Sequence, residues 1–366
     1  MESKILKTRK SQFSVAEVAL AIFLFVLYNI LFIELYSLFP RSFRANEIVA
    51  LFASFVMESL FAVAAWTTAV SKRVNIVPAA GLNKKINWKI VLYGFFISLV
   101  CIVGFGNITN VFLEFLTLLG YKQQLSSMVI DTFWKYLLYA IVFCVTPAFC
   151  EELLFRGAIL SGLKQYGTKF AIVCSSIIFT LMHGNAEQTI HQFIIGVVVG
   201  YLFVKSENLW LGVIVHFFNN FITVTTSFVL ELVSKGGANA IAETSDLNPW
   251  TQLLFSALFA VAFAYFAWEI LKYLLRNIFD EDKRINEKVQ ANAVISVDGA
   301  EVQTTMEIDG VAQNETVSND AEQVSGDVKK DKTEQLSVGT IVMFTLSCSY
   351  LVLEWVLSLI AGFGVF

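Results

Sequence analysis

Long apolar runs separated by short polar connections dominate the chain. The run at 88–119 is over-long and contains glycines, so a break or a tilt is expected there, while 168–183 and 189–204 are short. The pattern predicts an all-α fold, a polytopic transmembrane helical bundle of about eight or nine helices. Runs able to cross a bilayer lie at 16–39, 47–71, 88–119, 133–161, 168–183, 189–204, 209–232, 250–278 and 338–366.

Composition agrees with a membrane protein. The 366 residues are 56% hydrophobic and only 15% charged, whereas soluble proteins are about 25% charged. Many of the acidic residues lie in one hydrophilic segment near the C-terminus, so the net charge of −4 gives no support to a nucleic-acid partner. The cysteines fall in apolar runs without metal-ligand spacing and are interpreted as small buried side chains.

Five segments follow from these changes in composition. Residues 1–125 are predicted to form N-terminal transmembrane helices, 126–232 the core helices that carry the polar motifs, and 233–279 a further transmembrane helix. Residues 280–337 are rich in Asp, Glu, Asn, Gln, Ser and Thr, which is typical of a disordered linker. Residues 338–366 are predicted to form a C-terminal transmembrane helix.

Loop charges predict the orientation. Lys and Arg accumulate in the N-terminal segment and in every second loop, which places the N-terminus and the 280–337 linker in the cytoplasm. The compact chain and the absence of eukaryotic sorting signals favour an integral, multi-pass protein of a bacterial plasma membrane. The basic residues of these segments are Lys4, Lys7, Arg9, Lys10, Lys72, Arg73, Lys84, Lys85, Lys164 and Lys169.

Three charged residues stand close together inside one apolar run: Glu151, Glu152 and Arg156. Each such charge costs roughly 2.5–3.5 kcal/mol at the centre of a membrane helix. On a helix Glu152 and Arg156 are i, i+4 neighbours that can pair, while Glu151 points about 100° away. Glu151 is therefore predicted to remain free to face a cavity.

Two further pairs, each with a histidine, follow in the next apolar runs. Phe179 and His183 lie one helical turn apart, and so do His216 and Asn220. A carboxylate, two imidazoles and a carboxamide are the parts needed to hydrolyse an amide, with Glu151 as the base. The same residues leave open a zinc site made of Glu151, His183 and His216, although no HExxH sequence is present.

These three motifs, in this order, resemble those of the CAAX-processing and bacteriocin-processing (CPBP) intramembrane proteases, which include the type II CAAX prenyl endopeptidases. The family pattern is EExxxR, FxxxH and HxxxN or HxxxD, and the resemblance covers about residues 130–225. Gly196, Gly200, Leu209 and Gly212 also look like the family. The matching stretches are Glu151-Glu152-Leu-Leu-Phe-Arg156-Gly157, Phe179-Thr-Leu-Met-His183 and His216-Phe-Phe-Asn-Asn220.

The resemblance implies a conical catalytic cavity within the membrane and a role for each motif residue. Glu151 is then the general base that activates water, with assistance from His183. His216 and Asn220 stabilise the oxyanion.

The other motif residues, Glu152, Arg156 and Phe179, support the site in this reading. The family is described both as metalloproteases and as glutamate-dependent proteases. The metal-independent hypothesis is favoured, so no cofactor is predicted, and zinc on the carboxylate and the two imidazoles is the alternative.

The sequence thus predicts an intramembrane endopeptidase that cleaves a peptide or membrane-protein substrate within or beside the lipid bilayer. Processing of a peptide pheromone, a bacteriocin or a membrane anchor is favoured over a prenylated substrate. Two alternatives remain: a non-catalytic scaffold or immunity protein of the same fold, and a secondary transporter with a buried charge relay. The oligomeric state is left open. Outside the motifs, His191 is interpreted as structural. Among the acids that fall within or beside apolar runs, Glu58 is the one most worth following.

Overall fold

The computed structural model describes residues 13–123, 129–235, 248–304 and 336–364, and all regular elements in these ranges are helical. Eight helices there are long and apolar enough to cross a membrane, and Thr168–Met182 is a shorter apolar helix. This agrees with the predicted all-α bundle of about eight or nine helices. The helices are α1 (Val15–Ser37), α2 (Glu47–Ser71), α3 (Trp88–Leu118), α4 (Phe133–Tyr166), α5 (Thr168–Met182), α6 (Thr189–Ser206), α7 (Leu209–Lys235), α8 (Pro249–Thr304) and α9 (Val338–Gly362).

Polar residues at the edges of the apolar runs fix where several helices begin. The Asn46 side chain accepts hydrogen bonds from the first-turn amides of α2, and Asn87 does the same for α3. Ser337 accepts one from the Thr340 amide at the start of α9. These side chains satisfy amide groups that a helix leaves without backbone partners.

Helix α4 is the centre of the bundle. Of its most apolar window, 61% is buried, against 11–39% for the other spans. It packs against α1, α2, α5 and α7. Phe155 on α4 and Phe179 on α5 are both fully buried, with ring centroids 4.8 Å apart in an edge-to-face arrangement.

Wider π-helical turns interrupt α3 and α4. In α3 the segment Cys101–Phe105 is π-helical, so the irregularity expected in the run 88–119 is a change of helical pitch within a continuous helix. In α4 the segments Ile141–Val145 and Leu153–Leu160 are π-helical, and they lie on either side of Glu151. Such turns occur preferentially at functional sites.

Helix α8 is longer than predicted. The linker was expected to begin at residue 280, but the helix continues to Thr304, so the prediction of disorder is wrong for 280–304. Two hydrogen bonds hold the helix where its charged part begins: Asn87 donates to Glu281 at 2.6 Å, and Asn208 donates to Asp282 at 2.8 Å. Residues 305–335 of the predicted linker lie outside the described residues.

The loops gather on two faces of the bundle. The first, here called the basic face, consists of residues 72–87, 164–167 and 206–208. Lys164 Nζ lies 2.7 Å from Glu207 Oε1 across it, and this hydrogen bond lowers the pKa of Glu207. The Trp210 indole donates to the Leu82 carbonyl at 3.2 Å on the same side.

The second, here called the opposite face, consists of residues 38–46, 119–123, 129–132 and 183–188. The Lys122 amide donates to the Gly362 carbonyl at 2.7 Å, and the Ala186 amide donates to Ser358 Oγ at 3.2 Å. Lys135 pairs with Glu47 at 2.9 Å. The two faces thus follow the alternation of loops that the sequence predicts.

Candidate active site within the bundle

Helix α4 carries the first motif into the core. Glu151, Glu152 and Arg156 are 4%, 0% and 1% exposed. Arg156 Nη1 donates to Glu152 Oε1 at 2.8 Å, as expected for i, i+4 neighbours. Because Arg156 neutralises Glu152, Glu151 has to be stabilised by other groups or by taking up a proton.

The neighbouring helices hold Arg156 in place. Its Nη2 donates to the Gly196 carbonyl of α6 at 3.1 Å, and the centre of the guanidinium lies 4.9 Å from the centroid of the Phe179 ring. A β-carbon on Gly212 of α7 would lie 3.0 Å from Glu152 Oε2. Glycine at position 212 therefore allows α7 to approach the ion pair closely.

Hydrogen bonds fix the tautomers of both motif histidines. His216 Nδ1 lies 2.9 Å from Glu152 Oε1, and an ionised carboxylate can only accept, so Nδ1 carries the proton. His183 Nδ1 lies 2.8 Å from the Phe179 carbonyl, which also can only accept. In the neutral rings, both Nε2 atoms therefore keep their lone pairs.

The two free nitrogens point towards the same carboxylate oxygen. Nε2 of His183 and Nε2 of His216 each lie 4.0 Å from Glu151 Oε2. That oxygen is buried, and no donor among the described residues hydrogen-bonds to it. A separation of 4.0 Å is too long for a direct hydrogen bond and suits two groups that bind one water molecule between them.

The same three side chains are the ligands of the alternative zinc site, and the two histidine nitrogens each lie 4.0 Å from Glu151 Oε2. Ligands about 2.0–2.2 Å from a tetrahedral zinc lie about 3.4 Å from one another. Both histidine nitrogens of the alternative site are further than this from Glu151. Within the described residues, no group of three His, Cys, Asp or Glu side chains is arranged to hold a metal ion.

Glu151 lines a cavity of about 600 Å³. The walls include His183 and Asn220, as the motifs predict, and also residues that sequence reasoning did not assign to the site. Among these, the Glu58 carboxyl of α2 interacts directly with that of Glu151. His191, interpreted above as structural, lies in the wall as well. The remaining polar residues of the wall are Asn29, Thr109, Glu187, Gln188, Gln192, Asn219, Thr223 and Ser227.

A chain of hydrogen bonds, here called the amide relay, connects Phe143, Asn220, Asn219 and His191. Asn220 Nδ2 donates to the Phe143 carbonyl at 3.0 Å, and Asn219 Nδ2 donates to Asn220 Oδ1 at 3.2 Å. His191 Nε2 lies 3.0 Å from Asn219 Oδ1.

The carbonyl at one end fixes the direction of the whole relay. Since the Phe143 carbonyl can only accept, Asn220 must turn its nitrogen towards it and its oxygen towards Asn219. Asn219 then presents its own oxygen to His191, so His191 carries a proton on Nε2. Asn220 keeps a second amide hydrogen, which makes no hydrogen bond to any of the described residues.

Comparison with known families agrees with this arrangement. Residues 133–222 match the family model described as "Type II CAAX prenyl endopeptidase Rce1-like", which shows a relationship to the CPBP and CAAX proteases. The matched segment contains all three motifs and the whole relay. At a coarse level it supports a membrane-embedded peptidase. No curated protein and no solved structure matches the chain.

Proposed function

We propose that the protein is an intramembrane endopeptidase that hydrolyses a peptide bond with a water molecule activated by Glu151. The observation that carries the proposal is the convergence of His183 Nε2 and His216 Nε2 on one buried oxygen of Glu151, at 4.0 Å each. A buried acceptor without a protein donor, in the wall of a cavity, is suited to binding the reacting water.

In the first step the water donates a hydrogen bond to Glu151 Oε2 and a second one to an imidazole Nε2. Its oxygen attacks the carbonyl carbon of the substrate while Glu151 accepts the departing proton. Burial keeps bulk water away from this carboxylate, so its interaction with the reacting water is strong.

In the second step the tetrahedral intermediate carries its negative charge on the former carbonyl oxygen. Asn220 stabilises that oxygen with its remaining amide hydrogen. His216 can donate to it only once Nε2 is protonated, because Glu152 occupies Nδ1. This refines the role expected from the sequence, in which His216 is simply an oxyanion donor.

In the third step Glu151 returns its proton to the leaving nitrogen as the carbon–nitrogen bond breaks. The products are a new carboxyl terminus and a new amine. Glu152 and Arg156 hold His216 in the tautomer that this sequence of steps requires. Glu58 interacts with Glu151. Two ionised carboxylates in contact repel each other, so the two residues have to be considered as one carboxyl pair.

Product analysis tests the reaction class. The purified full chain, in proteoliposomes, is incubated with a set of single-span reporter peptides in water enriched in oxygen-18. The proposal predicts cleaved products whose new carboxyl terminus carries the label, and no product from Glu151→Gln. Thr226→Val is the matched control, because Thr226 is exposed and bonds only to its own helix. Unlabelled products, or equal cleavage by Glu151→Gln, would contradict the proposal.

A further inference from the structure

A second cavity, here called the α8 groove, lies between α5, α6 and α8. Its volume is about 410 Å³, and among the described residues it shares no lining side chain with the cavity of Glu151. On α8 its lining extends from Trp268 to Phe279, which is about 17 Å at 1.5 Å per residue. Half the hydrocarbon thickness of a bilayer is about 15 Å. The groove is therefore about as long as one leaflet is thick.

The walls of the α8 groove are mainly apolar. Trp268, which is 51% exposed, opens one end towards the surroundings. Near the other end the rings of Tyr201 and Phe279 meet edge to face, with 5.7 Å between their centroids. A groove with aliphatic walls in a membrane-spanning region suits an acyl chain. The aliphatic side chains of the walls are Ile172, Val197, Val198, Leu271 and Leu275.

Two cations belong to the lining near Phe279. Lys272 is paired with Glu269, with 2.8 Å between Nζ and Oε2. Arg276 is exposed, and no acidic residue in the described part of the chain forms an ion pair with it. Arg276 therefore keeps its charge and its guanidinium donors for a ligand.

Two further lysines adjoin the same end of the groove. Lys205 Nζ of α6 lies 5.9 Å from the centroid of the Tyr201 ring. Lys169 of α5 precedes Ile172 by three positions, so both lie on one side of that helix. Both lysines are exposed. Positive charge from three helices is therefore concentrated at this end.

The cationic end lies close to the membrane surface. Asn208, in a loop of the basic face, donates to Asp282 of α8 at 2.8 Å. Arg276 precedes Asp282 by six residues, which is about 9 Å along the helix. Arg and Lys side chains at such a depth can extend to the headgroup region. The apolar walls thus lie in the hydrocarbon, and the cations lie within reach of the headgroups.

From the length of the apolar walls and the cations at their surface end, we infer that the α8 groove binds an anionic phospholipid. An acyl chain lies along the walls, and the headgroup phosphate contacts Arg276, with Lys205 and Lys272 beside it. A guanidinium binds phosphate through paired, charge-assisted hydrogen bonds, and basic pockets between membrane helices recognise anionic headgroups. A zwitterionic lipid gains less, because its own cation is repelled. This site does not depend on the proposed reaction.

Quenching of Trp268 fluorescence measures binding at this place. The full chain is reconstituted into phosphatidylcholine bilayers that contain a small fraction of brominated lipid, either phosphatidylglycerol or phosphatidylcholine, at the same mole fraction. The signal of Trp268 is the difference between the unsubstituted protein and Trp268→Phe. Arg276→Gln removes a cation of the lining. Lys72→Gln is the matched control, because it removes an exposed cation of the basic face that is not part of the groove.

The inference predicts that phosphatidylglycerol quenches Trp268 with an apparent affinity about fivefold or more above that of phosphatidylcholine. Arg276→Gln should reduce this preference about fivefold, and Lys72→Gln should leave it unchanged. Equal quenching of the unsubstituted protein by the two lipids would overturn the inference, even if Arg276→Gln failed to fold. Equal losses in Arg276→Gln and Lys72→Gln would indicate general surface attraction and overturn it too. Absence of quenching by both lipids would show that protein, such as a second copy, covers the groove.

Discussion

The amide relay gives a prediction whose size follows from its contacts. His191 acts on Asn220 only through Asn219, over hydrogen bonds of 3.0 and 3.2 Å. A single protein hydrogen bond contributes about 0.5–1.5 kcal/mol. His191→Ala removes one bond that favours the productive orientation of Asn220, so kcat should fall about 2- to 13-fold. Asn219→Leu removes both bonds, about 1–3 kcal/mol together, and kcat should fall about 5- to 160-fold.

The pattern of variants distinguishes this positioning role from general damage. His191→Gln keeps a donor at the same place and should restore most of the activity. KM should stay near the wild-type value, because the relay orients a group that acts on the transition state. Asn220→Ala should lower kcat by about 10²–10³, and adding His191→Ala to it should have little further effect.

Steady-state kinetics on reporter peptides and nitrogen-15 NMR of labelled histidine together test the relay. His191 should show a protonated, pyrrole-type Nε2, with His191→Gln serving to assign the signal. Equal losses in His191→Ala and His191→Gln, or a change in KM alone, would refute the reasoning. A pyridine-type Nε2 in His191 would refute the direction of the relay.

Three further predictions concern the support of the site and its chemistry. Glu152→Gln should lower the stability of the folded protein by about 3–5 kcal/mol, because it leaves the buried Arg156 without its counter-charge. Thermal unfolding in detergent measures this loss of stability, and an unchanged Tm would contradict the prediction. Gly212→Ala should reduce kcat in a folded protein, since the added carbon pushes on Glu152. Gly339→Ala is the control and should leave kcat unchanged, because its added carbon meets only a distant atom. Equal kinetics in the two variants would contradict the prediction. Activity should survive a membrane-permeant chelator, and elemental analysis should find no stoichiometric zinc; loss of activity with recovery on zinc addition would favour the metal-dependent alternative.

The sequence contained enough information for the bundle and for the central ion pair. Long apolar runs translate directly into spanning helices, and the spacing of Glu152 and Arg156 places them on one side of α4. The motif residues His183 and His216 were identified by their order along the chain. Their shared approach to Glu151 depends on the packing of α4, α5 and α7, which no local pattern encodes.

Other parts of the site depend on contacts between distant residues. His191 and Asn219 are 28 positions apart, and neither spacing nor residue type indicates that they meet. Glu58 is a single acid in an apolar run; the sequence marks it as worth following but does not indicate that it meets Glu151. The charged continuation of α8 was misjudged because its composition is typical of a linker, whereas Asn208 binds Asp282 in the fold.

The kinetics of Glu151→Gln test the central claim most directly. The substitution preserves the shape of the side chain but removes the oxygen that accepts the proton from water. In proteoliposomes, with folding checked by thermal unfolding of the same sample, kcat should fall by about 10² or more while Tm stays close to the wild-type value. Turnover near the wild-type level in a folded Glu151→Gln protein would contradict the account.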